Sequence, residues 1–200
     1  RQDGVDVPSA IKVDGNKLSV SGLADGKYTL FVTAKSRGGA TTKPLRLVFW
    51  VEQEAFDWRD AVIYMVMTDR FSDGDPKNNP AAPAGVDART IYKGGDLVGV
   101  KNVIDSGYLD TLGVRAIWLS PFHTNPDGPF MADDGVHQAT GYHGYWPTRA
   151  REVDSRLGGK GALLAMVKSA HAHGIRILMD YVVNHVHKDH EYFTAHPDWF

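Results

Sequence analysis

Three short apolar runs separated by two stretches of helical period constrain this chain more than any other feature. AVIYMVM (61–67) is almost continuously apolar, and RAIWL (115–119) is nearly so. GIRILMDY (174–181) opens on a glycine and carries Ile175, Ile177 and Leu178. The near-continuous AVIYMVM run is expected of a parallel strand covered on both faces. Between the first two runs, Val100, Ile104, Tyr108 and Leu112 recur at i, i+4 and predict one helix over 100–112. Between the second and third, Leu163, Met166, Val167 and Ala170 share a face and predict a helix over 160–173. The order β-α-β-α-β requires parallel strands joined by right-handed crossovers.

Two parallel-sheet architectures accept that order. The loops after the first and second strands, 68–99 and 120–159, are rich in Gly, Pro, Asn, Asp and aromatics. Loops of that length are usually functional. In a (β/α)8 TIM barrel such loops, at the C-terminal ends of the strands, build the active site. The rival doubly wound sheet usually has short strand-to-helix loops with glycine fingerprints, and the chain contains neither GxGxxG nor GxxxxGK[ST]. The long loops therefore favour three β/α units of a (β/α)8 barrel over the doubly wound rival.

The first 55 residues have a different rhythm. Tyr28, Leu30, Val32 and Ala34 alternate onto one face, as do Leu45, Leu47, Phe49 and Val51, and Asp14-Gly15-Asn16, Asp25-Gly26 and Gly38-Gly39 punctuate them. This predicts an antiparallel β-sandwich with one buried face, and it resembles the last strands of an immunoglobulin-like domain; such a domain needs about 100 residues, so 1–55 is part of one. A net charge of −2 gives no bias toward nucleic acid or an anionic membrane surface, and no apolar run approaches the ~20 residues that span a bilayer. The absence of cysteine excludes disulfides and thiolate metal sites.

Three segments carry chemistry. In TDRFSDGDPKNNP, Asp73, Asp75, Asn78 and Asn79 crowd oxygen-bearing side chains into one turn, with Gly94-Gly95-Asp96 further on. Calcium takes six to eight oxygen ligands, yet the spacing is not that of an EF-hand, and a solvated Asx-rich turn is the ordinary alternative. In TGYHGYWPTR, Tyr142, His143, Tyr145 and Trp146 share a glycine-flexed loop, which suits a sugar ring against an aromatic face or plain core packing. The third run, with its extension DYVVNHVHKDH, ends in Asp180, Asn184, His185, His187, Asp189 and His190. Its HVHKDH letters match the HxHxDH pattern of dinuclear zinc hydrolases, and imidazoles two apart can share a zinc ion.

Taken together and in order from about Asp60 to Phe200, AVIYMVMTDRFSDGD, RAIWLSP, GYHGYW and DYVVNH resemble the alpha-amylase family of glycoside hydrolases, family 13. The resemblance outweighs the zinc motif, which explains nothing else in the chain. It implies that 56–185 is the N-terminal part of the catalytic barrel and that 186–200 begins a domain inserted after the third strand. It implies a calcium ion held by Asp73, Asp75, Asn78, Asn79, the Gly94 carbonyl and Asp96, and a second one ligated by Asn184. It implies that His185 bonds the sugar at the cleavage subsite, that Tyr145 stacks on that sugar beside His143 and Trp146, and that Asp180 steadies the strand end. His187 and His190 are then plain loop residues.

The implied substrate is an α-1,4-glucan, cleaved or transferred with retention, by an extracellular or periplasmic enzyme. Retaining glycosidases need two carboxyl groups about 5 Å apart. In this family they follow later strands, beyond residue 200. Residues 1–200 alone are thus expected to be inactive and to need the remainder of the barrel. A non-catalytic glucan-binding role for the sandwich is a further alternative.

Overall fold

The computed structural model describes residues 1–2, 5–7, 10–132 and 134–200. The chain divides into two compact units, Arg1–Asp60 and Ala61–Phe200.

The first unit holds two antiparallel pairs. Strand β1 (Ala10–Asp14) pairs with β2 (Lys17–Ser21) across a tight turn in which Gly15 has φ 58°. Strand β3 (Gly26–Val32) pairs with β4 (Leu45–Val51), with Tyr28 opposite Phe49. The predicted buried face forms only around that cross-strand pair. Tyr28 is buried and stacks on Phe49 at 5.8 Å, and its hydroxyl donates to the Ala24 carbonyl. Leu45 and Leu47, expected to face a core, are 58% and 44% exposed. A two-stranded pair cannot bury a whole face; that takes a further layer.

The second unit is built on strands β5 (Val62–Val66), β6 (Val114–Leu119) and β9 (Arg176–Met179), parallel, with β6 in the middle. Between β5 and β6 lie a short helix α1 (Thr68–Phe71), a 3₁₀ turn (Pro76–Asn78), α2 (Leu97–Asp105) and α3 (Tyr108–Thr111). Between β6 and β9 lie a small antiparallel pair, β7 (Phe130–Met131) and β8 (Gln138–Ala139), and then α4 (Gly159–Ala172). Helix α5 (Glu191–Ala195) follows β9.

Two sequence expectations change. The predicted helix over 100–112 is two helices, because the chain turns at Ser106 and Gly107, where Gly107 takes φ 74° and donates its N–H to Ile104. A left-handed glycine just past a helix end is a common stop. The turn leaves Tyr108 and Leu112 exposed and puts Leu109 in the core, beside Leu97 of α2. The strands are also covered on one face rather than two. Helices α2 and α4 pack on each other and on Val66, Ile117, Leu119 and Ile177, whereas Ile63, Met65 and Trp118, which alternate onto the other face, are each 46% exposed. Among the described residues, no second helical layer lies over them.

Candidate active site

The loops after β5 and β6 and the segment after β9 all leave the same end of the parallel sheet. Ser120 donates its N–H to the Val66 carbonyl, and Asp180 donates to Leu119, so the backbone ladder runs to the point where the loops begin.

The loop after β5 is organised around Asp96. This residue is fully buried and is the N-cap of α2, accepting from Gly99 N at 2.7 Å. The same carboxylate accepts from Gly74 N (3.1 Å), Asp75 N (2.9 Å) and Asn78 Nδ2 (2.8 Å). It therefore folds the DGDPKNN turn over the first turn of α2. The approach is so close that a Cβ on Gly74 would lie 2.2 Å from Gly99 N. Asp75 caps the 3₁₀ turn through Lys77 N, and Asp73 accepts from Asn79 Nδ2 at 2.7 Å. The Asn79 amide sits against Gly94, where a Cβ would meet it at 2.6 Å. Asp96 thus gathers Asp75 and Asn78, and Asn79 brings Asp73 to Gly94, although among the described residues Asp73, Asp75 and Asp96 do not themselves close into a three-carboxylate group. Asn78 Oδ1 is buried there with no protein partner. A buried acceptor left unpaired is costly unless a cation or a water meets it. The donor set of carboxylates, amides and a carbonyl suits a hard cation.

The loop after β6 presents the aromatics. Gly144 has φ 86°, and a Cβ there would stand 2.1 Å from the Pro121 carbonyl oxygen, so only glycine lets the loop pass so close to the strand end. Tyr145 donates its hydroxyl to Asp180 Oδ2 at 2.7 Å, and His185 Nε2 donates to the Tyr145 carbonyl at 2.9 Å. His143 Nδ1 accepts from Tyr145 N at 3.0 Å, which leaves its proton on Nε2. Burial first, then the positive charge of Arg70 and the neighbouring His185, push the His143 pKa down to about 4. Burial and the bond to Asp180 push the Tyr145 hydroxyl up to about 12. His143, Tyr145, Asp180 and His185 therefore form one connected group, a neutral imidazole beside a phenol. Trp146 joins it by ring contact with His143 at 4.6 Å, but its ring also packs on Phe130 and His187. Asn184 is exposed and meets only the His185 ring, at 3.4 Å, among the described contacts.

The zinc alternative does not assemble. His185 is spent on Tyr145, His187 Nδ1 accepts from Asp189 N at 3.2 Å, and His190 Nδ1 accepts from Tyr192 N at 3.0 Å. Their nitrogens serve three separate partners. Among the described residues, no three His, Asp or Glu side chains are grouped to hold a metal ion. His190 is not a plain loop residue either: it is 3% exposed and caps α5.

Sequence reasoning missed two buried anchors. Asp69, 2% exposed, accepts from Lys93 N at 2.9 Å and Gly94 N at 3.2 Å and pairs with Arg70. Burial, more than any other influence, raises its pKa. Asp154, also 2% exposed, accepts from Asn125 N at 3.0 Å and from Arg156, while Asn125 Oδ1 accepts from Trp146 N at 2.9 Å. A lone acidic residue in a long loop is the only local signal for either.

A family model described as the alpha-amylase catalytic domain matches residues 65–198. The chain is 39% identical over 155 residues to the periplasmic alpha-amylase of Escherichia coli (strain K12), covering 73% of this chain and 22% of that protein. It is 39% identical over 127 residues to the cyclomaltodextrin glucanotransferase of Bacillus sp. (strain 38-2), covering 62% and 18%. The chain thus spans about a fifth of the length of these relatives. Among solved structures, an Anoxybacillus alpha-amylase superposes with a TM-score of 0.59 at 34% identity, over 73% of this chain and 29% of that one. The Geobacillus thermoleovorans alpha-amylase complexed with acarbose gives 0.56 at 34% identity, over 73% and 28%. The matched region is a TIM-barrel-like α/β fragment, and the chain belongs to the alpha-amylase family.

Proposed function

We propose that the protein containing this chain acts on α-1,4-glucans, by hydrolysis or by glycosyl transfer with retention. The observation that carries this is the Asp180–Tyr145–His185 arrangement with neutral His143 at the strand ends of a family member. A phenol ring held from both sides offers a face for the CH groups of a sugar. An imidazole kept neutral, with its Nε2–H free of the Tyr145 amide, donates to a sugar hydroxyl without the desolvation cost of a charge. The curated relatives, an alpha-amylase and a cyclomaltodextrin glucanotransferase, support both outcomes. In this reading the acid and nucleophile are assigned to no described residue of 1–200. The proposal assigns them to the rest of a (β/α)8 barrel, with residues 1–200 binding and orienting the sugar.

Asp73, Asp75, Asn78, Asn79, the Gly94 carbonyl and Asp96 would hold a calcium ion, whose chemistry there is electrostatic cross-linking of the turn to the start of α2. The orphaned Asn78 Oδ1 supports that assignment. A second calcium at Asn184 needs ligands from outside the described residues. We further assign residues 186–200 to an inserted domain and residues 1–55 to part of an immunoglobulin-like domain, in an exported protein, in keeping with the periplasmic relative.

The test is an assay of the intact protein for release of reducing sugar from starch and for cyclic products. Turnover that falls at least a hundredfold in Tyr145→Ala, with an unchanged melting temperature, is the expected result. Absence of turnover on any α-1,4-glucan overturns the proposal.

A further inference from the structure

Arg70 lies between the two long loops. It sits in α1, directly after β5. Its guanidinium edge is spent on the first loop: it pairs with Asp69 and donates to the Ile91 and Arg89 carbonyls at 2.9 Å each. Its face is spent on the second loop, where the guanidinium carbon lies 3.8 Å from the centre of the Tyr142 ring. Asp69, which holds Lys93 N and Gly94 N, fixes the other end of the pair.

We propose that Arg70 is a positioning residue for the sugar-facing pair His143 and Tyr145, holding their loop through Tyr142. The inference rests on the glucan-active reading above. Tyr142 precedes His143, and the two rings meet edge to face at 5.2 Å. His143 lies 5.8 Å from Tyr145, with the rings inclined by 20°, and its Nδ1 holds the Tyr145 amide. A displacement of Tyr142 therefore passes to both residues. Only a guanidinium performs both tasks, since its planar edge donates to two carbonyls and a carboxylate while its face stacks on an aromatic ring; an ammonium is a point charge without a face.

The same cation adds to burial, the main influence, in keeping His143 neutral. The groups facing that imidazole are Arg70 from α1, His185 from the segment after β9, and Tyr142, Tyr145 and Trp146 from its own loop, with Asp180 behind Tyr145. Arg70 and His185 both oppose a proton there, in addition to burial.

Two Arg70 variants separate geometry from charge. In the intact protein, Arg70→Lys keeps the cation and loses the stack. It should raise KM for a maltooligosaccharide about tenfold, the scale of a partly desolvated cation–π contact, with a much smaller change in kcat. Its acid limb of kcat/KM should stay in place. Arg70→Met should raise KM equally and also move the acid limb to higher pH. Tyr142→Leu should match the KM of Arg70→Met, and the double variant should be no worse than either single one. Both Arg70 variants are melted alongside. A lower melting temperature with wild-type KM means a merely structural role and overturns the inference, as do additive effects in the double variant. A wild-type protein active on glucans whose Arg70 variants keep wild-type KM overturns this inference alone. A wild type inactive on every α-glucan overturns the glucan reading and this inference with it.

Discussion

Asp96→Ala separates what the loop after β5 owes to hydrogen bonding from what it owes to a cation. The buried carboxylate caps α2 through Gly99 N and accepts from Gly74 N, Asp75 N and Asn78 Nδ2. Loss of the cap costs about 1 kcal/mol. Each of the other donors, left unpaired, costs about 1–3 kcal/mol where water cannot reach it. Gly74, Asp75 and Asn78 are only part-buried, so the low end applies, and the total is about 3–5 kcal/mol. At ~2–4 °C per kcal/mol for a domain of this size, the melting temperature should fall by about 10 °C. Asp96→Asn keeps one acceptor oxygen and should lose about half of that. Among the described contacts, Asp73 accepts only from the Asn79 amide at the protein surface, so Asp73→Ala should cost little in chelator. With calcium at a hundredfold excess over Kd, binding adds about 2.7 kcal/mol to the wild type, and Asp73→Ala should lose much of that increment. The assay is thermal melting of the intact protein and its variants, each with chelator and with calcium. An Asp96→Ala loss below about 1 kcal/mol in chelator would refute the hydrogen-bond account. Equal responses of wild type and Asp73→Ala to calcium would refute the calcium assignment.

Three further outcomes follow from the geometry. The depressed His143 pKa means that, between the usual histidine value of 6.5 and about 4, the unfolded chain binds a proton that the folded chain refuses. Stability should therefore rise with pH across that window and fall on acidification, and His143→Phe should flatten the slope of urea-unfolding free energy against pH. Gly144→Ala forces a Cβ to within 2.1 Å of the Pro121 oxygen at a positive φ, so it should raise KM for maltooligosaccharides well beyond tenfold, as read by initial rates. Ile104→Ala, at a fully buried position against α4 and the sheet, should cost about 2–5 kcal/mol in denaturant unfolding while leaving KM unchanged.

The strand order, α4 and the segments that line the sheet's loop-bearing end were legible in the chain itself. They depend on local properties: an apolar run such as AVIYMVM, the i, i+3, i+4 spacing of Leu163, Met166, Val167 and Ala170, and the short motifs DGDPKNN, GYHGYW and DYVVNH. Periodicity could not see the break at Gly107, because Tyr108 and Leu112 continue the apolar spacing while the glycine turns the backbone away beneath it. Nor could it see which side chains meet. Asp96 reaches a turn 22 residues before it, Asn125 reaches Asp154 29 residues after it, and Arg70 spans two loops to lie under Tyr142. The letters HVHKDH left a zinc site as an alternative in the sequence, and tertiary structure gives His185, His187 and His190 three different partners. Which residues share a face is written in the backbone period, but whether that face is buried depends on a further layer, as exposed Leu45 and Leu47 show. Partners of buried polar groups are decided by where long loops come to rest, and each loop rests where those same groups can be satisfied together.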